Sequence, residues 1–130
     1  MPVAITALYA AILGLVLIAL SARIAGLRGK TGIGIGHEGS DVLSRAVRVH
    51  GNFIEYAPIA LILMALIELN GGPALLLHGL GLALVVGRLL HAWGLSGSVG
   101  VSFGRAAGTI ATWTAIGVGA LFALYQFVTV

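Results

Sequence analysis

Apolar residues run along this chain in four long blocks separated by three polar interruptions. The blocks cover about residues 3–27, 42–69, 73–95 and 105–128. A helix needs about 20 residues to cross the hydrocarbon core of a bilayer, so each block is long enough for one span. The first interruption, LRGKTGIGIGHEGSD, is polar and glycine-rich, and either Ser40 or Asp41 can cap the helix that follows it. The second is a tight turn in which Asn70, Gly71 and Gly72 end one helix and Pro73 opens the next. The third, LSGSVGVSFG, is flexible and ends at Arg105. Pro58 falls inside the second block, where it frees the carbonyl of Ile54 and predicts a bend. Short connections make successive spans antiparallel, so the pattern predicts an all-α, up-down four-helix membrane bundle, one domain over residues 1–130.

Composition supports the membrane reading. Of 130 residues, 59% are hydrophobic and 8% charged, with a mean hydropathy of +1.10, which leaves too little polar surface to cover a soluble core. The first block has no basic residue before it and exceeds the 7–15 residues of a signal-peptide core, so it is expected to stay as a span. The net charge of +3 is explained by orientation in the membrane rather than by nucleic acid. All seven basic residues (Arg23, Arg28, Lys30, Arg45, Arg48, Arg88 and Arg105) lie in or towards the first and third connections. The positive-inside rule then places those connections in the cytoplasm and both termini on the other side. Cysteine is absent, so any thiol chemistry has to come from a ligand.

The unusual stretch is RAVRVHGNFIEYAP, residues 45–58, at the start of the second span. Arg48, Asn52, Glu55 and Tyr56 fall at i, i+4, i+7 and i+8 and so share one helix face. Arg45 lies one turn further out on that face, and His50 lies to one side. Glu55 is about 15 Å deeper than Arg45 along the axis, at 1.5 Å per residue. A lone carboxylate at that depth costs about 2.5 kcal/mol or more, so it needs a partner or a wet cavity. Arg88 and His91, at i and i+3 on the third span, reach a comparable depth, and Glu55 is expected to meet Arg88 directly or through a ligand. A Glu–Arg pair can simply fasten two helices, and Arg23 or Arg45 alone reads best as a snorkelling side chain. The whole set fits a ligand better. Asn52 and Tyr56 add directional hydrogen bonds, and the cations outnumber Glu55, which suits a zwitterionic, net anionic molecule.

In register and without a gap, Arg45, Arg48, His50, Asn52, Glu55, Tyr56 and Pro58 resemble the second-helix signature of the MAPEG family, the membrane-associated proteins in eicosanoid and glutathione metabolism. GRLLHAWG, with Arg88 and His91, resembles a second block of that family, and the likeness extends over essentially the whole chain. It is nearest to small bacterial members without an assigned substrate. The resemblance implies a homotrimer in a bacterial inner membrane, with glutathione as cosubstrate held between adjacent subunits near the cytoplasmic face. It implies that Arg48, Asn52, Glu55 and Tyr56 hold the peptide's carboxylates and amino group, with His50 in support and Arg88 and His91 lining the site. Arg105 matches the arginine that stabilises the glutathione thiolate in several members, which attacks a lipophilic electrophile or opens an epoxide. No metal is implied. The chain departs from some members in carrying Leu95 in place of a tyrosine four residues past His91, and Ala106 after Arg105, so the prostaglandin and leukotriene activities are not implied for it.

A non-catalytic small-anion binder or transporter is the competing class. Transporters show broken helices near the midplane and polar groups reaching both faces, whereas the polar groups here gather in one half of the spans. Gly34, Gly36 and Gly39 form G-x-G-x-x-G, but no strand precedes them, so a flexible loop is expected in place of a dinucleotide site. His37 and Glu38 are too few to hold a metal. His78 is expected to be a packed or interfacial histidine, and Trp93, Phe103 and Tyr125 to be interface anchors. Ala115, Gly119 and Ala123 recur at every fourth position, a spacing that serves close packing either within one bundle or between subunits.

Overall fold

The computed structural model describes residues 1–98 and 100–129. Four helices account for nearly all of them: α1 (Ala4–Thr31), α2 (Asp41–Leu69), α3 (Ala74–Gly97) and α4 (Phe103–Thr129). Each is long and apolar enough to cross a membrane, and no strand forms among the described residues. The expected boundaries hold to within one or two residues except at the end of α1, which runs a full turn further. Arg28 explains the extension. Its Nη1 donates to the carbonyls of Ile33 and Gly36 at 3.0 and 2.9 Å, folding the connection back over the helix end. Gly32, at φ 73°, gives its N–H to the Arg28 carbonyl in a left-handed cap that only a residue without Cβ adopts freely. At the other end of the loop Ser40 is the cap, accepting the Leu43 N–H at 3.2 Å.

Contacts at the helix ends give the topology. Glu68, at the end of α2, meets residues 5 and 6 at the start of α1, and Arg45, at the start of α2, meets Ser96 at the end of α3. Gly94 near the end of α3 abuts the Gly104–Arg105 backbone at the start of α4. Successive helices are therefore antiparallel. Helices α1 and α4 do not touch among the described residues, so α2 and α3 form the central pair, each packed on all the others. One apolar core, with Leu13, Phe53, Met64, Ile67, Leu77 and Leu84 among its members, runs between them.

The most intimate contact is α3 on α4. A Cβ at Gly108 would collide with the backbone of Gly87 and His91, and one at Gly104 would meet the Leu90 carbonyl and the Trp93 ring. Gly119 continues the same side of α4, where an added Cβ would lie 3.6–3.8 Å from Leu63 and Leu80, and Ala115 is buried beside it. Ala115 and Gly119 of the small-residue line thus pack within the subunit. Trp93, Phe103 and Tyr125 are exposed, as interface anchors should be.

The end of the bundle away from the arginines is fastened by different chemistry. Both Glu68 carboxylate oxygens accept backbone N–H groups, from Ile5 and Thr6 at 2.8 Å, capping the α1 N-terminus. Gln126 Nε2 donates to the carbonyls of Ile67 and Asn70, closing the end of α2. His78 meets the Tyr9 hydroxyl through Nδ1 at 3.0 Å, so the expected interfacial histidine fastens α3 to α1.

Candidate functional site

Asp41–Leu69 is one uninterrupted helix through the polar stretch, so the spacing of Arg48, Asn52, Glu55 and Tyr56 does become a shared face. That face splits into an outer and an inner tier. On the outer tier Arg48 and Glu55 form a two-toothed ion pair, Nη1 to Oε1 at 2.9 Å and Nη2 to Oε2 at 3.0 Å. Their side chains are 53% and 49% exposed, on the flank of a membrane span. Two turns of helix separate them, and the length of the arginine bridges the gap along the surface.

The inner tier belongs to Arg88. Only 2% exposed, its guanidinium donates from Nη2 to Asn52 Oδ1 and from Nη1 to Thr112 Oγ1 at 3.5 Å. Its Cζ lies 5.8 Å from the centre of the Tyr56 ring, within the range of a cation–π contact. Arg88 Nε has no partner among the described residues, and no carboxylate pairs with this cation. The expected direct contact between Glu55 and Arg88 is therefore not made: Glu55 has turned outward to Arg48, and Arg88 has turned inward to neutral oxygens. The reason is geometric. Arg48 lies seven residues from Glu55 on the same helix face, whereas Arg88 reaches α2 one turn away, at Asn52.

His91, also 2% exposed, lies one turn beyond Arg88, with its Nδ1 unpartnered among the described residues. Its neighbour across the α3–α4 crossing is Gly108, whose missing side chain leaves room for the backbone nitrogen and Cβ of His91. His50 is half-buried at the side of the face. Arg105 stands in the first turn of α4, its N–H held by Ser102 Oγ at 3.3 Å and its Nη1 3.5 Å from the Gly100 carbonyl. Its backbone abuts Gly94, one turn from His91. It also borders a 350 Å³ groove whose other walls are Val101, Ala106, Thr109 and Ile110. The structure thus brings Arg48 to Glu55 and Arg88 to Asn52 and Tyr56, with His91 adjoining, while Arg105 approaches from a separate element.

Two participants were not singled out in the sequence. Thr112 is wholly buried and gives Arg88 one of its two acceptors. Its position was available as a signal, since Gly108, Thr112, Ala115 and Gly119 form one continuous line on α4. Ser96 draws in both outlying arginines: Arg23 Nη1 donates to its Oγ at 2.7 Å and Arg45 Nε to its carbonyl at 3.0 Å. These two arginines close the end of α3 in place of snorkelling freely.

Comparison with known proteins identifies a family for the chain. Residues 6–125 match the MAPEG family. The chain is 37% identical over 112 residues to "Inner membrane protein YecN" of Escherichia coli strain K12, a match that covers 86% of this chain and 84% of that protein. The same identity and coverage hold for the YecN protein of Escherichia coli O6:H1. With the match running through all four spans, the chain belongs to the MAPEG family.

Proposed function

We propose that this protein is a glutathione-dependent transferase or peroxidase of the bacterial inner membrane, acting as a homotrimer on a lipophilic electrophile that enters from the bilayer. One observation carries the reading: a half-exposed Arg48–Glu55 pair on the flank of a membrane span, backed by the buried and uncompensated Arg88. Charges facing lipid are costly, so this flank calls for cover by another copy of the chain. The cation excess behind it calls for a net anionic ligand, and glutathione brings two carboxylates and one ammonium. The name of the YecN relative supports the membrane assignment. The concentration of arginines at one end supports a cytoplasmic site, with both termini on the opposite face.

The mechanism follows from the placement of Arg105. A free thiol has a pKa near 8.5, and a cation in a dry site favours the thiolate. Arg105 supplies that cation beside an apolar groove suited to a hydrophobic substrate. The thiolate sulfur bonds to the electrophilic carbon while the leaving group departs with its electron pair, or while the epoxide C–O bond at that carbon breaks and its oxygen takes up a proton. Arg48, Asn52, Glu55 and Tyr56 bind and orient the peptide, with His50 at its edge and the buried Arg88 and His91 behind them.

Calorimetric titration of the detergent-purified protein with glutathione, read alongside thiolate absorbance near 240 nm, tests this. Saturable binding with a thiolate signal is expected, and Arg105→Ala is expected to keep the binding and lose the signal. Absence of binding at millimolar glutathione would overturn the reading. Solute leakage through reconstituted protein, abolished by Glu55→Gln, would replace it with a transporter.

A further inference from the structure

A guanidinium carries donors only, so every group that meets Arg88 has to offer an oxygen. Asn52 does so with Oδ1 and Thr112 with Oγ1. Thr112 is itself oriented. Its hydroxyl proton goes to the Gly108 carbonyl at 2.8 Å, which leaves a lone pair to face Arg88. The direction of every donor along the series Gly108, Thr112, Arg88, Asn52 is thereby fixed. At its end the Asn52 amide cannot turn over, because that would set its NH2 group against the guanidinium. Asn52 Nδ2 is held away from Arg88 and donates to nothing among the described residues. Asn52 is half-buried, with Arg48 four residues before it and Glu55 three residues after it on the same face.

We propose that Thr112 and Arg88 are positioning residues that lock the Asn52 amide with its two N–H donors towards the ligand, so that the site takes an oxyanion, a carboxylate, at Asn52 and refuses an ammonium there. The inference rests on the ligand reading of this face and adds to it a sorting rule and a residue on α4. Arg88, 2% exposed, acts on the ligand through Asn52. Thr112, with no exposure at all, acts through Arg88. With Arg88 Nε unpartnered among the described residues, Thr112 is one of two acceptors there that restrain the buried group, which is why its loss reaches Asn52.

The test is titration of the full-length, detergent-purified protein with glutathione, with thermal unfolding recorded on the same samples. Asn52→Asp keeps an oxygen for Arg88 but presents only lone pairs to the ligand. It is expected to weaken binding about 30-fold or more, as the loss of a hydrogen bond to a charged group does, with no fall in melting temperature because Arg88 gains a counter-ion. Thr112→Val is expected to weaken binding about 3- to 10-fold, and Thr112→Ser, which restores the hydroxyl, to return it to within about twofold. A purely structural role for Thr112 would lower stability in Thr112→Val without the rescue of affinity by serine. If Thr112→Val does not fold, Asn52→Asp decides the case. Wild-type protein that binds no glutathione overturns the functional reading and this inference together. Wild-type binding that Asn52→Asp leaves intact overturns this inference alone.

Discussion

The α3–α4 crossing sets where Arg88, His91 and Thr112 lie, and one methyl group is enough to probe it. Gly108→Ala places a Cβ against the Gly87 carbonyl oxygen and the His91 amide nitrogen, both backbone atoms that no rotamer change can move. Gly117→Ala, on the same helix, places the same methyl where nothing lies within 4 Å. Alanine is favoured over glycine inside a helix by about 0.5–1 kcal/mol, so Gly117→Ala should gain about that much. Gly108→Ala has the same gain set against an overpacking cost of about 1–3 kcal/mol. Separation of the helices also loosens the Arg88–Thr112 hydrogen bond, which at 3.5 Å is long and adds a smaller part to the loss.

The net result for Gly108→Ala is a loss of about 2 kcal/mol, and the two variants should differ by about 3 kcal/mol. Reversible unfolding in mixed detergent–SDS micelles, followed by far-ultraviolet circular dichroism, reads that difference directly. If Gly108→Ala unfolds with Gly117→Ala, the crossing is looser than its geometry implies, and its control over Arg88 fails with it.

Three further outcomes follow from the same structure. Glu55→Gln leaves Arg48 without its counter-ion on the flank that another copy of the chain is proposed to cover, so both the melting temperature of the assembled protein and the affinity for glutathione should fall, the latter by at least tenfold on titration. Glu68→Ala deprives the first turn of α1 of both its carboxylate acceptors and should cost about 1 kcal/mol, with faster hydrogen exchange confined to residues near Ile5 and Thr6. Because the chain has no cysteine, His37→Cys and Thr129→Cys each create a unique thiol. In intact cells an impermeant maleimide should label the cysteine at 129 and spare the one at 37, and the reverse pattern would invert the proposed orientation.

Four apolar blocks were enough to read the number, order and ends of the helices, because in a membrane span the hydrophobic length and the backbone hydrogen bonds impose the same answer. The end of α1 escaped because Arg28 extends it by bonding to carbonyls in the following loop, a contact that apolar length does not encode. The shared face of Arg48, Asn52, Glu55 and Tyr56 was legible for the same reason as the helix itself, since α2 has no break through it. What periodicity could not settle was pairing. Depth alone made Arg88 a partner for Glu55, yet the rotation of α3 about its axis, set by Gly87 and Gly94 against α4, aims Arg88 at Asn52 and Thr112. Glu68 escaped notice because its partners are backbone N–H groups, which carry no sequence signature.

The two tiers of the site differ in how they meet the cost of charge in a membrane. Arg48 is paired with a carboxylate and left on the flank, where a neighbouring surface can cover a neutral pair. Arg88 is covered within its own subunit, but among the described residues it meets only the neutral oxygens of Asn52 and Thr112 and the Tyr56 ring. The reverse arrangement, Glu55 turned in to Arg88, would neutralise the interior and leave Arg48 alone on the flank. A subunit built only for stability would favour that exchange, because a buried cation without a counter-ion is the costlier of the two. The arrangement adopted keeps one positive charge in reserve behind Asn52, and on the proposed reading an anion arriving at Asn52 would neutralise it. Folding of each subunit therefore leaves an electrostatic deficit that the proposed anionic ligand would remove, and that is the physical content of the proposal that this face is a site.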